Sequence, residues 1–108
     1  MATLVIPPRV WDQIRGTIRR TAEKFGKRKA SEYQELVAHG LKTLEKIPAS
    51  GQKRPELRPK GLMTLHIARQ GKKARHLFVY RITEKGATVE CVAFLYDGMD
   101  YQRHIPKK

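Results

Sequence analysis

A single cysteine, Cys91, stands in this chain, so neither an internal disulfide nor a cluster of thiolate metal ligands can form. It sits in an apolar run, the usual setting of a buried and unreactive thiol. Ser31 and Ser50 are the only serines, and neither occupies a strand-to-helix elbow that would present a nucleophile. The four histidines, His39, His66, His76 and His104, are scattered without zinc-site spacing. Only His66 and His76 fall on neighbouring strands of an expected hairpin, where they could approach each other. The glycines form no phosphate loop or dinucleotide fingerprint. No metal and no cofactor is expected. No apolar run approaches the ~18 residues of a membrane span, and residues 2–6 are too short for a signal core. The expected location is the cytoplasm, with no membrane partner.

Acidic residues are the last scarcity. Ten Asp and Glu face 23 Lys and Arg, for a net charge of +13 in 108 residues. Solubility of a small domain needs a magnitude of only about 2–8. The excess points to an acidic partner, either a polyanion or an acidic protein. The length allows one domain, residues 1–108, and 40% apolar residues suffice for a core without staples.

Thr3 to Ile6 is a short β-prone run ended by Pro7-Pro8. A helix opening at Pro8 or Arg9 follows, with Val10, Ile14, Ile18 and Phe25 at helical spacing and Trp11 and Ala22 alongside. Arg15, Arg19, Arg20 and Lys24 occupy its opposite face, and Gly26 caps it. Lys27-Arg28-Lys29 reads as a basic bend. A second helix starts near Ala30 or Ser31, carries the stripe Tyr33, Leu36, Val37, Leu41, Leu44 and Ile47, and ends at Pro48. Residues 48–61, rich in proline and glycine, read as a connection without an element of its own.

Three β-rich runs complete the chain, residues 62–69, 75–83 and 88–96, separated by glycine-containing hairpin loops. The last strand alternates two apolar sets. Val89, Cys91, Ala93 and Leu95 are expected on one face, and Val92, Phe94 and Tyr96 on the other. Such a strand is buried on both faces or keeps one for a partner. In the tail, Met99 and Ile105 are candidate anchors. The expected fold is α+β in the order β-α-α-β-β-β, a helical hairpin packed on a small, mainly antiparallel sheet with the first strand at an edge.

A polar cluster remains on the sheet and tail: His66, Arg69, Arg75, His76, Tyr80, Arg81, Tyr96, Asp100, Arg103 and His104. Arginine suits phosphate because its planar fork binds oxygens in pairs, and histidine or tyrosine can move protons. The inventory permits metal-independent RNA cleavage without demanding it.

Two segments carry a resemblance. Arg75-His76-Leu77-Phe78-Val79-Tyr80-Arg81-Ile82 resembles the central-strand signature of the RelE/ParE toxin superfamily. Val92 to Asp100, with the tail Arg103-His104-Ile105-Pro106, resembles its closing strand and segment. The order of elements is also similar, so the resemblance spans nearly the whole chain. It implies a toxin of a type II toxin–antitoxin pair, assembled with a cognate antitoxin whose acidic C-terminal segment covers the sheet, here at Val92, Phe94 and Tyr96. Met99-Asp100 and Arg103-His104 look more ParE-like, which implies inhibition of DNA gyrase. The RelE-like alternative is a ribosome-dependent mRNA endoribonuclease, with Arg75, Arg81, Tyr96, Arg103 and His104 as catalytic candidates. Tyr96 stands where the family often has histidine, which weakens a histidine-acid mechanism. Lys53, Arg54, Arg58, Lys60, Arg69, Lys72 and Lys73 are the candidates for binding a target or phosphate. A third reading is a non-toxic nucleic-acid-binding domain.

Overall fold

The computed structural model describes residues 2–69, 72–83 and 86–106, without the side chains of residues 68, 69, 72 and 73. Strand β1 (Thr3–Val5) leads into helix α1 (Pro8–Phe25), and α2 (Lys27–Lys46) follows. Pro8 sits where its missing N–H costs nothing, and Gly26, at φ 91°, takes the backbone shape that ends α1. That glycine makes the whole turn. The Lys27-Arg28-Lys29 segment, expected as a bend, is instead the first turn of α2.

A short 3-10 turn (Pro48–Ser50) precedes β2 (Gln52–Lys53). Strands β3 (Leu62–Arg69), β4 (Lys72–Thr83) and β5 (Thr88–Tyr96) form the expected antiparallel meander, and a second 3-10 turn (Tyr101–His104) closes the tail. The sheet order is β1-β5-β4-β3-β2, with β1 parallel to β5 at one edge. Strand β2 corrects the reading of residues 48–61 as a mere connection. Gln52 and Lys53 pair antiparallel with Thr64 and Met63, and the Arg54 N–H donates to the Leu62 carbonyl. Two residues are too few to show a period, so pattern alone does not reveal them.

The helices cover one face of the sheet. Val10, Ile14, Val37, Leu44, Phe78, Tyr80 and Phe94 form the main core there, with Ile18, Tyr33, Leu36 and Leu41 partly buried around it. Phe25 and Ile47, expected in the stripes, are exposed because each ends its helix. Trp11 is also largely outside the core. On the opposite face, Leu57 from the proline-rich link and Ile105 from the tail cover Leu62, Leu77, Val79, Ala93 and Leu95. Ile105 is thus an anchor, whereas Met99 stays exposed. The Gln102 side chain clasps link and tail together, accepting from the Arg58 N–H and donating to the Arg58 carbonyl, at 2.8 and 2.9 Å.

Strand β5 departs from simple alternation. Val79 pairs with Ala93 but Tyr80 pairs with Cys91, so Val92 is the extra residue of a β-bulge. The bulge shifts the phase. Val89, Cys91 and Phe94 point to the helices, whereas Ala93, Leu95 and the partly buried Val92 join the other face. Val92 and Phe94 therefore do not share a face, contrary to the strict two-residue period.

Candidate functional site

Strand β1 accompanies β5 only as far as Val5 opposite Glu90. Beyond that point the outer edge of β5 lies open, and α1 side chains take the place of a neighbouring strand. The Arg9 guanidinium donates to the Val92 carbonyl, and the Phe94 N–H donates to the Gln13 side-chain oxygen at 2.8 Å. Arg9 and Gln13 stand one helical turn apart, which matches them to successive open groups of the strand. Past Phe94 the edge widens into an open groove of about 880 Å³ between α1 and the end of β5. Phe94, Leu95, Tyr96 and Met99 supply its apolar side, while Arg20 and Lys24 bring positive charge against Asp12 and Glu23, and His104 lies on the wall. Gly16 leaves the helix wall of the groove without a side chain. Mid-helix glycine costs about 0.5–1 kcal/mol relative to alanine, so this gap is maintained at the expense of helix stability.

His76 lies at the base of the groove. Its ring stacks on Phe94 at 5.2 Å, meets Tyr96 edge-on, and its Nδ1 is hydrogen-bonded to the Tyr33 hydroxyl. Burial, with the Arg20 charge adding, lowers its pKa from 6.5 to about 4. Burial and the nearby Asp97 charge raise that of Tyr33 to about 12, so the tyrosine remains a donor. The sign follows. The unfolded chain binds more protons than the folded one between pH 6.5 and about 4, so His76 makes stability fall as pH drops through that window. Urea denaturation at a series of pH values is expected to show this loss, and His76→Gln is expected to flatten it. A stability that rises on acidification toward pH 5 would contradict the assignment.

Next to the groove, Asp97 is a hub. Its carboxylate accepts from Arg75 Nε at 3.4 Å and lies 3.3 Å from His66 Nε2, and its N–H donates to the Arg75 carbonyl. The Arg75 guanidinium also covers the Tyr96 ring, 4.8 Å from its centre. Of the catalytic candidates, the structure brings Arg75 and Tyr96 together and sets His104 on the groove wall. Arg81 is not with them. It stands six residues further along β4, roughly 20 Å away at strand rise, and its Nε donates to Glu90 at 2.6 Å. Arg103 is exposed on the tail turn. Tyr80 is buried in the core, its hydroxyl donating to the Pro48 carbonyl at 2.7 Å.

His66 and His76 do not meet. His66 pairs across from Leu77, on the face away from the helices, whereas His76 packs among Tyr33, Phe94 and Tyr96. Among the described residues no group of three or more His, Cys, Asp or Glu is placed to hold a metal ion. Cys91 is fully buried, and burial pushes its thiol up to about 12.

Several cations of the link turn out to be engaged internally. Arg54 Nε donates to the Thr64 hydroxyl at 2.9 Å, and its guanidinium lies near Glu56 and over Tyr101. Arg58 donates to the Pro55 and Leu57 carbonyls. Lys53 and Lys60 are exposed. Arg69, Lys72 and Lys73 lie in the β3–β4 ladder, and their side chains fall outside the described residues. The groove residues that sequence reasoning passed over are Gln13, Gly16 and Thr17. Their signal was available as a polar, glycine-containing helix face beside the apolar stripe.

The sequence profile of the ParE toxin of the type II toxin–antitoxin system parDE matches residues 4–101. The chain belongs to the ParE toxin family. Its membership brings with it the coarse function of that family, the toxin of a type II toxin–antitoxin system, and with it a cognate antitoxin. A chain of the chromosomal ParDE system from P. aeruginosa superposes with a TM-score of 0.70 at 18% identity, over 89% of this ParE-family chain and 96% of that one. The E. coli toxin RelE, as a double arginine-to-alanine mutant in the free state, superposes with a TM-score of 0.54 at 14% identity, over 95% and 92%. At such identities the likeness is one of fold, a helical hairpin on a five-stranded, mostly antiparallel sheet. No curated protein matches the chain in sequence. Among the described residues, no helix of this ParE-family chain is long and apolar enough to cross a membrane.

Proposed function

We propose that this ParE-family chain arrests growth by inhibiting DNA gyrase, and that its antitoxin silences it by laying an acidic, amphipathic segment in the groove beside α1. The observation that carries the antitoxin half is the groove itself. An apolar wall at Phe94, Tyr96 and Met99, a helix wall left bare at Gly16, and a chain charge of +13 suit a segment that is apolar on one side and acidic on the other. The product is a toxin–antitoxin hetero-oligomer. A short segment that orders on binding gains from both the apolar contact and the charge.

The gyrase half rests on family and on what the arginines do. Cleavage of mRNA on the ribosome needs several cations around one phosphate. Here Arg81 is committed to Glu90 at the far end of β4, and Arg75 is shared with Asp97 and Tyr96. Protein binding on gyrase asks for no such convergence. The test is a supercoiling reaction on relaxed plasmid with purified gyrase. The chain is expected to inhibit it, and an Arg75→Ala, Arg81→Ala double variant to fold and inhibit like wild type. Neither arginine is assigned to the gyrase contact, and each partly exposed pair contributes only about 1 kcal/mol at most to the fold. Unaffected supercoiling together with codon-positioned cuts in translating messages would replace gyrase with mRNA as the target.

A further inference from the structure

Phe25 is the most exposed large apolar side chain of the described residues, at 67%. It ends α1, and every residue from Glu23 to Lys29 around it is exposed. The segment from Arg19 to Lys29 holds six cations and one acid, Glu23. Lys29 is paired with Glu32, and Arg20 donates weakly to Thr17. Lys24, Lys27 and Arg28 make no ion pair among the described residues. By contrast, Arg54 of the link and Arg75 and Arg81 of the sheet are all engaged.

Neither feature serves the fold. Burying Phe25 would have stabilised the hairpin, and three cations in the first turn of α2 oppose its dipole, so they are local liabilities. What remains is an aromatic ring set among free cations. Residues 24–28 span less than ~18 Å even if fully extended, so one ring and three charges fall within reach of a few nucleotides. Any base offers a face to an aromatic ring, and the phosphates on either side offer charge to lysine and arginine.

From this we infer that the tip of the helical hairpin binds single-stranded nucleic acid, with a base stacked on Phe25 and flanking phosphates on Lys24, Lys27 and Arg28. Duplex is disfavoured as ligand because its bases are not free to stack on a side chain. This surface is independent of the gyrase reading, and it adjoins the antitoxin groove, with which it shares Lys24 and Phe25. The nucleic-acid measurement is made on the chain without antitoxin, so it stands or falls separately.

The probe is a short fluorescein-labelled oligothymidylate, followed by anisotropy across a range of salt concentrations. Phe25→Ala is expected to weaken binding by roughly tenfold, the effect of losing one stacked base. Lys24→Gln, Lys27→Gln and Arg28→Gln together are expected to make the log–log salt slope shallower by about 2, at ~0.7 per phosphate. The exposed pair Lys53→Gln and Lys60→Gln serves as the control and is expected to leave the Phe25 dependence intact. All these side chains are exposed, and circular dichroism verifies that the variants fold. The inference is overturned if Phe25→Ala binds like wild type or if duplex of the same length binds as tightly. It is also overturned if the control pair flattens the slope as much as the triple variant. An acidic peptide such as oligoglutamate that binds with the same dependence on Phe25 would reassign the tip to an acidic protein.

Discussion

Replacing Gly51 with alanine is expected to lower the unfolding free energy by about 3 kcal/mol, the sum of overpacking and a disturbed buried hydrogen bond. A β-carbon at this position would stand 2.2 Å from the Tyr80 hydroxyl oxygen and 2.6 Å from the Thr64 carbonyl oxygen. Tyr80 is fully buried, and its hydroxyl bond to the Pro48 carbonyl ties the end of α2 to the sheet centre. The methyl must therefore push the ring, the β3 backbone or both. Tyr80→Phe alone is expected to cost about 1 kcal/mol. Combined with Gly51→Ala, it removes one clash and leaves the other, so the double variant is expected to fall short of the sum. Urea denaturation of the three variants measures this. Full additivity would mean that Gly51 and Tyr80 do not share this contact.

The largest functional effect is expected from Gly16→Leu. The nearest atom to a β-carbon there is the mobile end of Arg20, at 3.4 Å, and the position opens onto the groove rather than into the core. Helix propensity alone favours the change by up to about 1 kcal/mol. The new side chain nevertheless enters the groove beside Phe94 and Tyr96. An antitoxin segment that needs this groove is expected to bind at least about 100-fold more weakly, the loss of a hot-spot contact of 2 kcal/mol or more plus a clash. Toxicity remains, because the groove is assigned to the antitoxin and not to the target. Cells carrying both genes are then expected to stop growing with Gly16→Leu toxin and to grow with the wild type. Growth rescue by antitoxin in the variant would place the antitoxin elsewhere.

Much of the architecture could be read from the sequence. Apolar residues at helical spacing announced both helices, and glycine-bounded runs of β-branched residues announced the meander. The failures share a cause, since each depended on a contact remote in sequence. Phe25 keeps the period of the stripe but lies at the helix end, with no sheet residue opposite it. The Gln52–Lys53 strand exists only because β3 offers an edge. Val92 breaks the alternation of β5 by forming a bulge, which α1 completes through Arg9. The candidate site shows the same limit. Arg75 and Arg81 look like partners in a linear motif, yet strand rise separates them and Asp97 and Glu90 claim one each. Gln13 and Gly16 had no meaning until β5 lay beside them.

The most direct measurement is plasmid supercoiling by purified gyrase with this chain and its cognate antitoxin added in turn. Wild-type protein is expected to inhibit, and a molar equivalent of antitoxin is expected to restore supercoiling. Gly16→Leu protein is expected to inhibit equally and to resist that restoration. Supercoiling left untouched by either protein at high excess would contradict the account.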